Sequence, residues 1–364
     1  MARELANLGE QTRVEEGGVS WEADARSMMR ANLWLRTASR VVVRVAQFPA
    51  TEFYELEKRA KKIDWDRFLS PGVRAEFRVT ARKSKLYHSD AIAERLEKAV
   101  GSGLRAVKTK PQSAKPKAQS PKQLFVVRVL RDVFEISADT SGDLLHIRGY
   151  RQAVGKAPLR ETLAAALLLA AEWNGETALV DPLCGSGTIP IEGALIARRI
   201  APGLGRSFAF QGWPHFEASA WSKILDEARS QALPSSSVPI HGSDRDAGAI
   251  EAAQSNASRA GVSSDISLEV KAISAIQRPA DAGLVACNPP YGKRIGANAS
   301  IRNLYAQLGN VLRARLSGWN VALFSADARL SSQVGLPFRE LFRTSNGGIK
   351  VSALKSEITG VSRG

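Results

Sequence analysis

Residues 178–193 read ALVDPLCGSGTIPIEG, an apolar run that passes through a glycine turn into a second apolar segment. The first run predicts a buried strand, and the segment that begins at Thr188 predicts a helix. Gly185 and Gly187 let the backbone turn tightly and approach a ligand, while the first N–H groups of the helix remain free. This stretch therefore predicts a ligand-binding turn at the carboxyl edge of an α/β sheet.

The glycine turn does not match the dinucleotide fingerprint G-x-G-x-x-G, because Pro190 stands where the third glycine belongs. Asp181 precedes the turn, and its carboxylate can accept hydrogen bonds from an ammonium group or from a turn amide. A nucleoside that carries an amino acid would suit this arrangement. An ordinary strand-to-helix turn without a ligand is the alternative.

Strand-like and helix-like segments alternate from residue 151 onward. This spacing predicts an open, mostly parallel, doubly wound α/β sheet. Two strand-like runs in 338–357, around an Asn-Gly-Gly turn, predict an antiparallel hairpin at the sheet edge. The other predicted strand regions are 178–187, 239–244, 266–270, 281–291 and 320–327, and the predicted helices are 161–173, 188–200, 247–261 and 300–316.

The first 150 residues mix the two kinds of segment and predict an α+β region of two small units that meet near 70–72. Residues 108–122, KTKPQSAKPKAQSPK, hold five Lys, three Pro and no acid, and they predict a solvated insertion. A helix is expected at 88–101, with Ser89 as its N-cap and Gly101 as its stop. The other expected elements are strands at 32–48 and 75–83, a helix at 50–65, and two strands joined by a turn at Arg131-Asp132.

The chain carries a formal net charge of +15, and its pI is near 10.1. Residues 1–150 hold 28 Lys and Arg against 19 Asp and Glu, so the excess is denser at the front. Basic side chains release counterions from phosphates, which favours a nucleic-acid partner over simple solubility. No apolar run reaches the ~18 residues of a membrane span and the N-terminus has no signal-peptide core, so a cytoplasmic protein is expected. Two Cys and four His without ligand spacing predict no metal site.

The second motif, His-Gly-Ser-Asp-Arg-Asp at 241–246, ends the next predicted strand. Asp244 lies where doubly wound folds place an acid that holds ribose hydroxyls. Helix capping is the alternative role, and Asp246 suits it better because the next helix begins near Ala247. We expect Asp244 to bind ribose and Asp246 to cap the helix.

The third motif, Asn288-Pro289-Pro290-Tyr291, follows the buried run LVAC. Consecutive prolines have fixed φ angles and no N–H, so they hold a rigid turn with an outward-facing carbonyl. That carbonyl and the Asn288 amide oxygen can accept both hydrogens of an exocyclic NH₂ and aim its lone pair at an electrophile. Tyr291 offers a ring for base stacking, a contact worth about 1–3 kcal/mol. A simple strand terminator is the alternative.

The three motifs in this order resemble the SAM-dependent amino-methyltransferases of nucleic acids, and more specifically the THUMP-domain RNA methyltransferases. Those enzymes include the bacterial methyltransferase that makes N2-methylguanosine in 23S rRNA and its tRNA-modifying relatives. The resemblance covers nearly the whole chain, and it is carried by residues 32–41, 137–151, 157–168, 181–197, 242–261 and 288–296.

The resemblance implies three units and RNA, either rRNA or tRNA, as the partner, and no protein partner is evident from the sequence. The units are an N-terminal ferredoxin-like unit at 1–70, a THUMP RNA-binding unit at 71–150 that contains the 108–122 insertion, and a Rossmann-like SAM-dependent methyltransferase domain at 151–364. The chain begins inside what resembles the family's first helix, so an opening strand is expected to be missing.

The resemblance also implies roles for single residues. Pro158 and Thr162 are minor candidates for the methionine end of SAM, while Ala272 stands where the family usually has an acid for the adenine. Asp244 would bind the ribose of SAM. The remaining SAM contacts would be Asp181, Pro182, Cys184, Gly185, Ser186, Gly187 and Thr188, and the catalytic residues at the target base would be Asn288, Pro289, Pro290 and Tyr291.

Four basic residues are candidates for RNA contact. Lys293 and Arg294 lie just past the tetrapeptide and are expected to grip phosphates, with a solvated loop as the alternative. Arg148 and Arg151 flank Tyr150 at the domain junction, and they face either RNA or the domain interface.

The expected reaction is methyl transfer from SAM to the exocyclic amine of an RNA base, and the resemblance implies N2 of guanosine in 23S rRNA. The tetrapeptide itself accepts guanine or adenine. A tRNA guanine-N2 methyltransferase, a DNA N6-adenine methyltransferase and a non-catalytic RNA-binding assembly factor are the alternatives. The basic front half argues against the DNA enzyme, and the intact tetrapeptide argues against a non-catalytic protein.

Overall fold

The computed structural model describes four ranges of the chain: 1–103, 121–151, 159–291 and 298–359. Most of the predicted insertion therefore lies outside the described residues. Its last residue, Lys122, was assigned wrongly, because it pairs with Arg74 as the first residue of a strand.

The first 41 residues form a layer of two helices and a hairpin. Asp24 caps the second helix by accepting a hydrogen bond from the Ser27 backbone at 2.7 Å. That helix buries Met28 and Leu33 in a cluster with Phe208 and Trp221 from the later part of the chain. The elements are α1 (Ala2–Asn7), β1 (Thr12–Glu15), β2 (Gly18–Trp21) and α2 (Ala25–Trp34).

A four-stranded sheet with two helices follows. Its elements are β3 (Val42–Pro49), α3 (Phe53–Ala60), β4 (Arg74–Arg82), α4 (Ser89–Gly103), β5 (Lys122–Leu130) and β6 (Val133–Asp139). The strand order is β3-β6-β5-β4, in which β4 and β5 are parallel and the other pairs are antiparallel. The predicted boundary at residue 70 is wrong, because it separates β3 from the sheet to which β3 is hydrogen-bonded.

The third region contains a larger sheet. Its elements are α5 (Glu161–Ala170), β7 (Ala178–Asp181), α6 (Thr188–Ala197), α7 (Ala218–Ser230), β8 (Ile240–Asp244), α8 (Ala247–Arg259), β9 (Ser267–Val270), β10 (Gly283–Cys287), α9 (Asn298–Arg315), β11 (Asn320–Ser325), α10 (Ala328–Ser332), β12 (Arg339–Asn346) and β13 (Ile349–Glu357).

The seven strands lie in the order β12-β13-β11-β10-β7-β8-β9. The strands from β11 to β9 are parallel, and the β12–β13 hairpin is antiparallel at the edge. The predicted fold class is therefore confirmed. The chain order reverses between β7 and β10, and ligands bind at such a switch point in doubly wound sheets.

Two local expectations for helices were wrong or incomplete. Helix α4 does not stop at Gly101 but continues to Gly103. Helix α7 was missed, although it and the segment before it form the surface on which the front half packs. Trp213 in that segment packs edge-on against Phe68 with ring centroids 5.0 Å apart, and its indole N–H donates to the Gln123 side chain at 2.7 Å. Among the described helices, none has the length and apolar character that crossing a membrane requires.

Candidate active site

The glycine turn and the Asn-Pro-Pro-Tyr segment leave neighbouring strands at the same edge of the sheet. β7 and β10 are parallel, and Val180 lies opposite Val285 in their register. All residues of both strands are buried. The parallel pairing therefore brings Asp181 and Asn288 together, although 107 positions separate them in the sequence.

The glycine turn needs its two glycines for different reasons. Gly185 has φ +51°, and an added Cβ would meet no atom within 4 Å, so it faces open space. Gly187 has φ +82°, and an added Cβ would lie 2.9 Å from the Ala253 Cβ on α8. Gly187 is also the N-cap of α6 and provides no side chain to bind the helix N–H groups. The turn thus combines an open wall with an uncapped helix N-terminus.

The shape of the turn is set by hydrogen bonds to the adjacent strand and helix. The Cys184 N–H donates to the Ser243 carbonyl at 3.0 Å, and the Gly187 N–H donates to the Cys184 carbonyl at 2.8 Å. The Asn256 side chain on α8 donates to the Ser186 carbonyl at 3.0 Å. Asn256, which is 1% exposed, was missed by the sequence reasoning because a polar residue inside a helical pattern carries no local signal of its role.

Asp181 is 1% exposed and lies at the base of the turn. One of its carboxylate oxygens accepts a hydrogen bond from the Leu183 N–H at 3.1 Å. Burial raises the pKa of Asp181 well above its ordinary value, and the nearby Asp244 carboxylate adds to the rise. A cationic group bound here would favour the ionised carboxylate and offset that cost.

Asp244 and Asp246 have different roles in the structure, and the predicted helix-capping role of Asp246 is confirmed. Asp246 caps α8 by accepting hydrogen bonds from the Gly248 and Ala249 N–H groups at 2.9 and 3.3 Å. Asp244 accepts from the Gly185 N–H at 3.0 Å, so it is tied directly to the glycine turn. Its ribose-binding role remains a prediction.

Asn288 offers an acceptor without a partner. Its amide oxygen is buried and accepts no hydrogen bond from any described residue. Pro289 is buried and Pro290 is exposed, so the tetrapeptide passes from the sheet to the surface within two residues. A buried oxygen without a donor is costly unless a ligand supplies one.

Tyr291 is half-buried, and its hydroxyl is hydrogen-bonded to a residue 55 positions later in the sequence. The Asn346 side chain, at the end of β12, donates to the Tyr291 hydroxyl at 3.0 Å. Asn346 is 6% exposed and precedes the Gly347-Gly348 turn of the edge hairpin. The hairpin thus fixes the tyrosine, a role that the Asn-Gly-Gly turn signal did not reveal.

Arg148 does not face RNA, and that prediction is wrong. It is 6% exposed, and its guanidinium donates to the Leu145 and Arg36 carbonyls at 2.6 Å each. It also lies 3.6 Å from the fully buried Glu192 carboxylate on α6, which accepts from the Tyr150 hydroxyl at 3.2 Å. The alternative interdomain role is the one that this burial supports.

Arg36 brings the front half into the same cluster. Its guanidinium donates to the Leu195 and Ile200 carbonyls at 3.2 and 2.7 Å, at the end of α6. Burial lowers the pKa of Arg36 to about 10, against the favourable field of Glu192. The helix that begins at the glycine turn is therefore anchored at its other end by a residue of the first 41.

Arg151 is also an internal residue, which contradicts its predicted RNA contact. Only 12% of its side chain is exposed. It donates to the Thr188 hydroxyl at 2.7 Å and to the Leu159 carbonyl at 2.8 Å, and it forms an ion pair with Glu161 at 2.9 Å. It thus ties the start of α5 to the start of α6.

Each of the remaining predicted residues is buried, half-buried or outside the described ranges. Pro182 and Thr162 are buried beside the turn and on α5, and Ser186 is half-buried. Pro158, Lys293 and Arg294 lie outside the described residues. Within the described ranges, no three His, Cys, Asp or Glu side chains are grouped so that they could hold a metal ion.

An open glycine turn, an uncapped helix N-terminus and a buried Asn288 oxygen with no partner among the described residues lie at the switch point of a seven-stranded sheet with an antiparallel edge hairpin. This combination is that of a SAM-dependent methyltransferase. Family models identify the chain further. A model described as "RMKL-like, methyltransferase domain" matches residues 148–353, and one described as "RlmL ferredoxin-like domain" matches residues 1–42. The chain belongs to the RlmL-like methyltransferase family.

Two relatives match almost the whole chain. The "Putative RNA methyltransferase" of Synechocystis sp. is 37% identical over 359 residues, which cover 98% of this chain and 93% of that protein. The ribosomal RNA large subunit methyltransferase K/L of Syntrophotalea carbinolica is 36% identical over 374 residues, which cover 98% of this chain and 52% of that protein. The chain thus spans about half the length of the K/L relative.

A solved structure supports both the fold and the cofactor. The crystal structure of SMU.472 complexed with SAH matches with a TM-score of 0.87 and 30% identity, over 99% of this chain and 95% of that one. SAH is what remains of SAM after its methyl group has been transferred. The glycine turn of this chain fits SAM because it offers open space, free helix N–H groups and a buried carboxylate.

Proposed function

We propose that this protein transfers the methyl group of SAM to the exocyclic amine of an RNA base, and that the amine is N2 of guanosine in 23S rRNA. The observation that carries the proposal is the buried amide oxygen of Asn288, which lies at the sheet edge of the glycine turn and has no partner in the part of the chain that the structure describes. The names of the relatives support RNA as the substrate, and the net charge of +15 agrees with a polyanionic partner.

Asn288 would act on the nucleophile. Its amide oxygen accepts one hydrogen of the base NH₂, and a carbonyl of the rigid proline pair accepts the other. The nitrogen lone pair then points away from both acceptors. SAM supplies an electrophilic methyl group, and holding the nitrogen ~3–3.5 Å from it provides much of the catalysis.

The glycine turn would hold the methyl donor from several sides. Asp181 would pair with its ammonium group, Asp244 with its ribose, and the open wall at Gly185 would let the backbone lie against it. Thr188 and Thr162 lie at the starts of α6 and α5, where Arg151 holds the first turns of the two helices together.

Tyr291 would receive the target base. A base must leave its stack to reach a buried methyl group, which costs a few kcal/mol and least for an unpaired base. Stacking of the base on the Tyr291 ring would offset part of that cost. The bond from Asn346 prevents the ring from rotating away, so less entropy is lost when the base arrives.

The sheet unit at 42–139 is proposed as the THUMP RNA-binding unit, and residues 1–41 as the ferredoxin-like unit. The pairing of β3 with β6 and the family match to residues 1–42 support this boundary. The methyltransferase domain is proposed to begin at residue 148, where the larger family match starts.

The test is methyl transfer from labelled SAM to 23S rRNA, tRNA and duplex DNA, all from a strain that lacks the gene, with the methylated nucleoside identified by mass spectrometry. We expect N2-methylguanosine in 23S rRNA. N2-methylguanosine in tRNA alone would refute the proposed rRNA substrate, and N6-methyladenine in DNA would refute the RNA enzyme. A protein that binds SAM and RNA but transfers nothing would be an assembly factor.

A further inference from the structure

Two loops are joined at one end of the four-stranded sheet. One follows β4 and the other is the β5–β6 turn. The Arg131 N–H donates to the Arg82 carbonyl at 3.3 Å, and the Asp132 N–H donates to the Ser84 hydroxyl at 3.0 Å. The Lys85 N–H donates to the Asp132 carboxylate at 2.6 Å. These bonds make the two loops one ordered surface.

The loops hold backbone conformations that residues with side chains rarely adopt. Lys83, Arg131 and Asp132 have φ angles of +51°, +52° and +64°. Asp adopts this conformation more readily than most residues, and the two-residue hairpin turn requires it at both Arg131 and Asp132, but Lys83 and Arg131 hold it at a cost. Retained strain at a surface loop is a reason to look for a function there.

The exposed side chains on this surface are mostly cationic, aromatic or apolar, and the half-buried Asp132 is the one acid in the two loops. Tyr87 is 64% exposed, and its ring centroid lies 4.1 Å from that of the neighbouring His88. Leu130 and Val133 are also exposed beside the turn. We call this surface, residues 82–88 and 130–133, the distal patch. Four of its cations are exposed, and none of them forms an ion pair with a described residue. They are Arg82, Lys83, Lys85 and Arg131.

The distal patch lies at the end of the sheet that faces away from the methyltransferase domain. The other end contacts that domain, where Gln123 at the start of β5 accepts from Trp213 and the Thr140 carbonyl after β6 accepts from Phe210 N–H at 3.2 Å. Strands β4 and β5 have nine residues each. At about 3.3 Å per residue, the patch is roughly 26 Å from the domain contact.

We propose that the distal patch binds a single-stranded segment of the RNA substrate, remote from the nucleotide that is methylated. Unpaired cations attract the backbone phosphates, and an exposed ring accepts an unstacked base of any sequence. A duplex hides its base faces, so the exposed tyrosine would add nothing to duplex binding. The identity of the RNA rests on the proposed function, but the chemistry of the patch does not.

A second exposed tyrosine in the same unit provides a matched control. Tyr54 on α3 is 71% exposed, which is more than Tyr87. However, the Lys58 ammonium lies over its ring at 5.9 Å from the centroid, and Glu52 and Glu55 lie within two positions of it. Tyr87 also has a neighbour on its ring, His88, so the difference between the two tyrosines is the local charge: mixed around Tyr54 and mostly positive around Tyr87. Tyr54 should therefore contribute less to RNA binding than Tyr87.

The experiment measures binding of the full chain to a fluorescein-labelled 20-nucleotide oligouridylate, to a duplex RNA of equal length and to phosphatidylserine-containing vesicles. We expect Tyr87→Ala to weaken oligouridylate binding about tenfold and duplex binding little, as loss of one stacked base predicts. Lys83→Glu/Lys85→Glu should weaken both RNAs, and it should lower the slope of log K against log salt by about 0.7 per lost phosphate contact.

The control variants Tyr54→Ala and Lys223→Glu/Arg229→Glu, the latter on α7 with the same change in charge, should bind as the wild type does. Equal affinity of wild type and Tyr87→Ala for oligouridylate would overturn the proposal, as would a Tyr87 effect seen with vesicles alone. Because this assay needs no methyl transfer, it separates failure of the patch from failure of the proposed function. If both hold, Tyr87→Ala should also raise the KM for 23S rRNA while kcat stays unchanged.

Discussion

The glycine turn and the Asn-Pro-Pro-Tyr segment lie on neighbouring strands, yet their polar groups are in opposite states. In the turn, the N–H groups of Cys184 and Gly187 and the carbonyl of Ser186 all have partners within the protein. In the tetrapeptide, the Asn288 oxygen has none among the described residues. The turn, which is proposed to bind SAM, is thus shaped within the protein itself. The Asn288 oxygen, which is proposed to bind the target base, would gain its partner only from the substrate.

The largest effect is expected from Asn288→Ala. Loss of one preorganised polar contact to the reacting group lowers kcat by about 10²–10³-fold. The affinity for SAM, measured by calorimetry, should change less than about twofold, because no hydrogen bond joins Asn288 to the turn. Asn310→Ala on α9, an exposed asparagine, is the control. If SAM binding disappears together with activity, the two halves of the site are not independent.

Gly187→Ala tests the glycine turn. The substitution forces a side chain into φ +82° and places its Cβ 2.9 Å from Ala253, so we expect a loss of about 1–3 kcal/mol in stability and a weaker SAM site. Gly185→Ala is its matched partner, since it has positive φ but no clash. It should cost about 1–2 kcal/mol, the strain of the left-handed backbone alone, and so less than Gly187→Ala. Equal melting temperatures of the two variants would show that the contact with α8 does not shape the turn.

Asp181 should make the stability of the protein and its affinity for SAM depend on pH. Burial raises its folded pKa above the unfolded value of about 4, so the folded state retains a proton that the unfolded state releases. Stability of the SAM-free protein should therefore fall as pH rises from about 4 toward the folded pKa, by up to about 1.4 kcal/mol per unit.

The affinity for SAM should rise with pH over the same range if, as proposed, the ammonium group of SAM pairs with the ionised Asp181 carboxylate. Chemical denaturation and calorimetry at several pH values test both slopes. Asp181→Asn should remove both, and a variant that keeps the wild-type slopes would assign them to another group.

The smallest effect is expected from Asn346→Ala, which acts on the substrate half alone. Without its partner the Tyr291 ring is less ordered, so the KM for RNA should rise about fivefold, the equivalent of one hydrogen bond of about 1 kcal/mol. Tyr291→Phe should give the same change, and the double variant should be no worse than either single one. Ser345→Ala, the exposed neighbour on β12, is the control. Additive effects would mean that the hydrogen bond does not link the two residues.

The sequence predicted the methyltransferase sheet because its signals are local. The apolar run at 178–181, the glycines after it and the Asn-Gly-Gly turn each specify their own backbone. The first 41 residues and α7 were harder, since their helices and hairpin are stabilised by contacts between segments about 200 positions apart. Local pattern does not encode such contacts.

Only part of the candidate site could be predicted from the sequence. The glycine turn and the tetrapeptide show an unusual local composition that can be recognised. Asn256 and Asn346 do not, because each acts on a residue 70 or 55 positions away. Arg148 and Arg151 resemble RNA-binding residues in sequence, and only the packing of α6 shows that they are internal.

The buried cluster around Glu192 has a consequence for how this gene can be divided or recombined. A methyltransferase domain separated at residue 151 would keep Glu192 but lose Arg36, Arg148 and Tyr150. Leaving a buried charge without its partners costs about 3–5 kcal/mol, a large share of a domain's total stability. We therefore expect the catalytic domain, when cut at residue 151, to be markedly less stable than the same domain within the full chain.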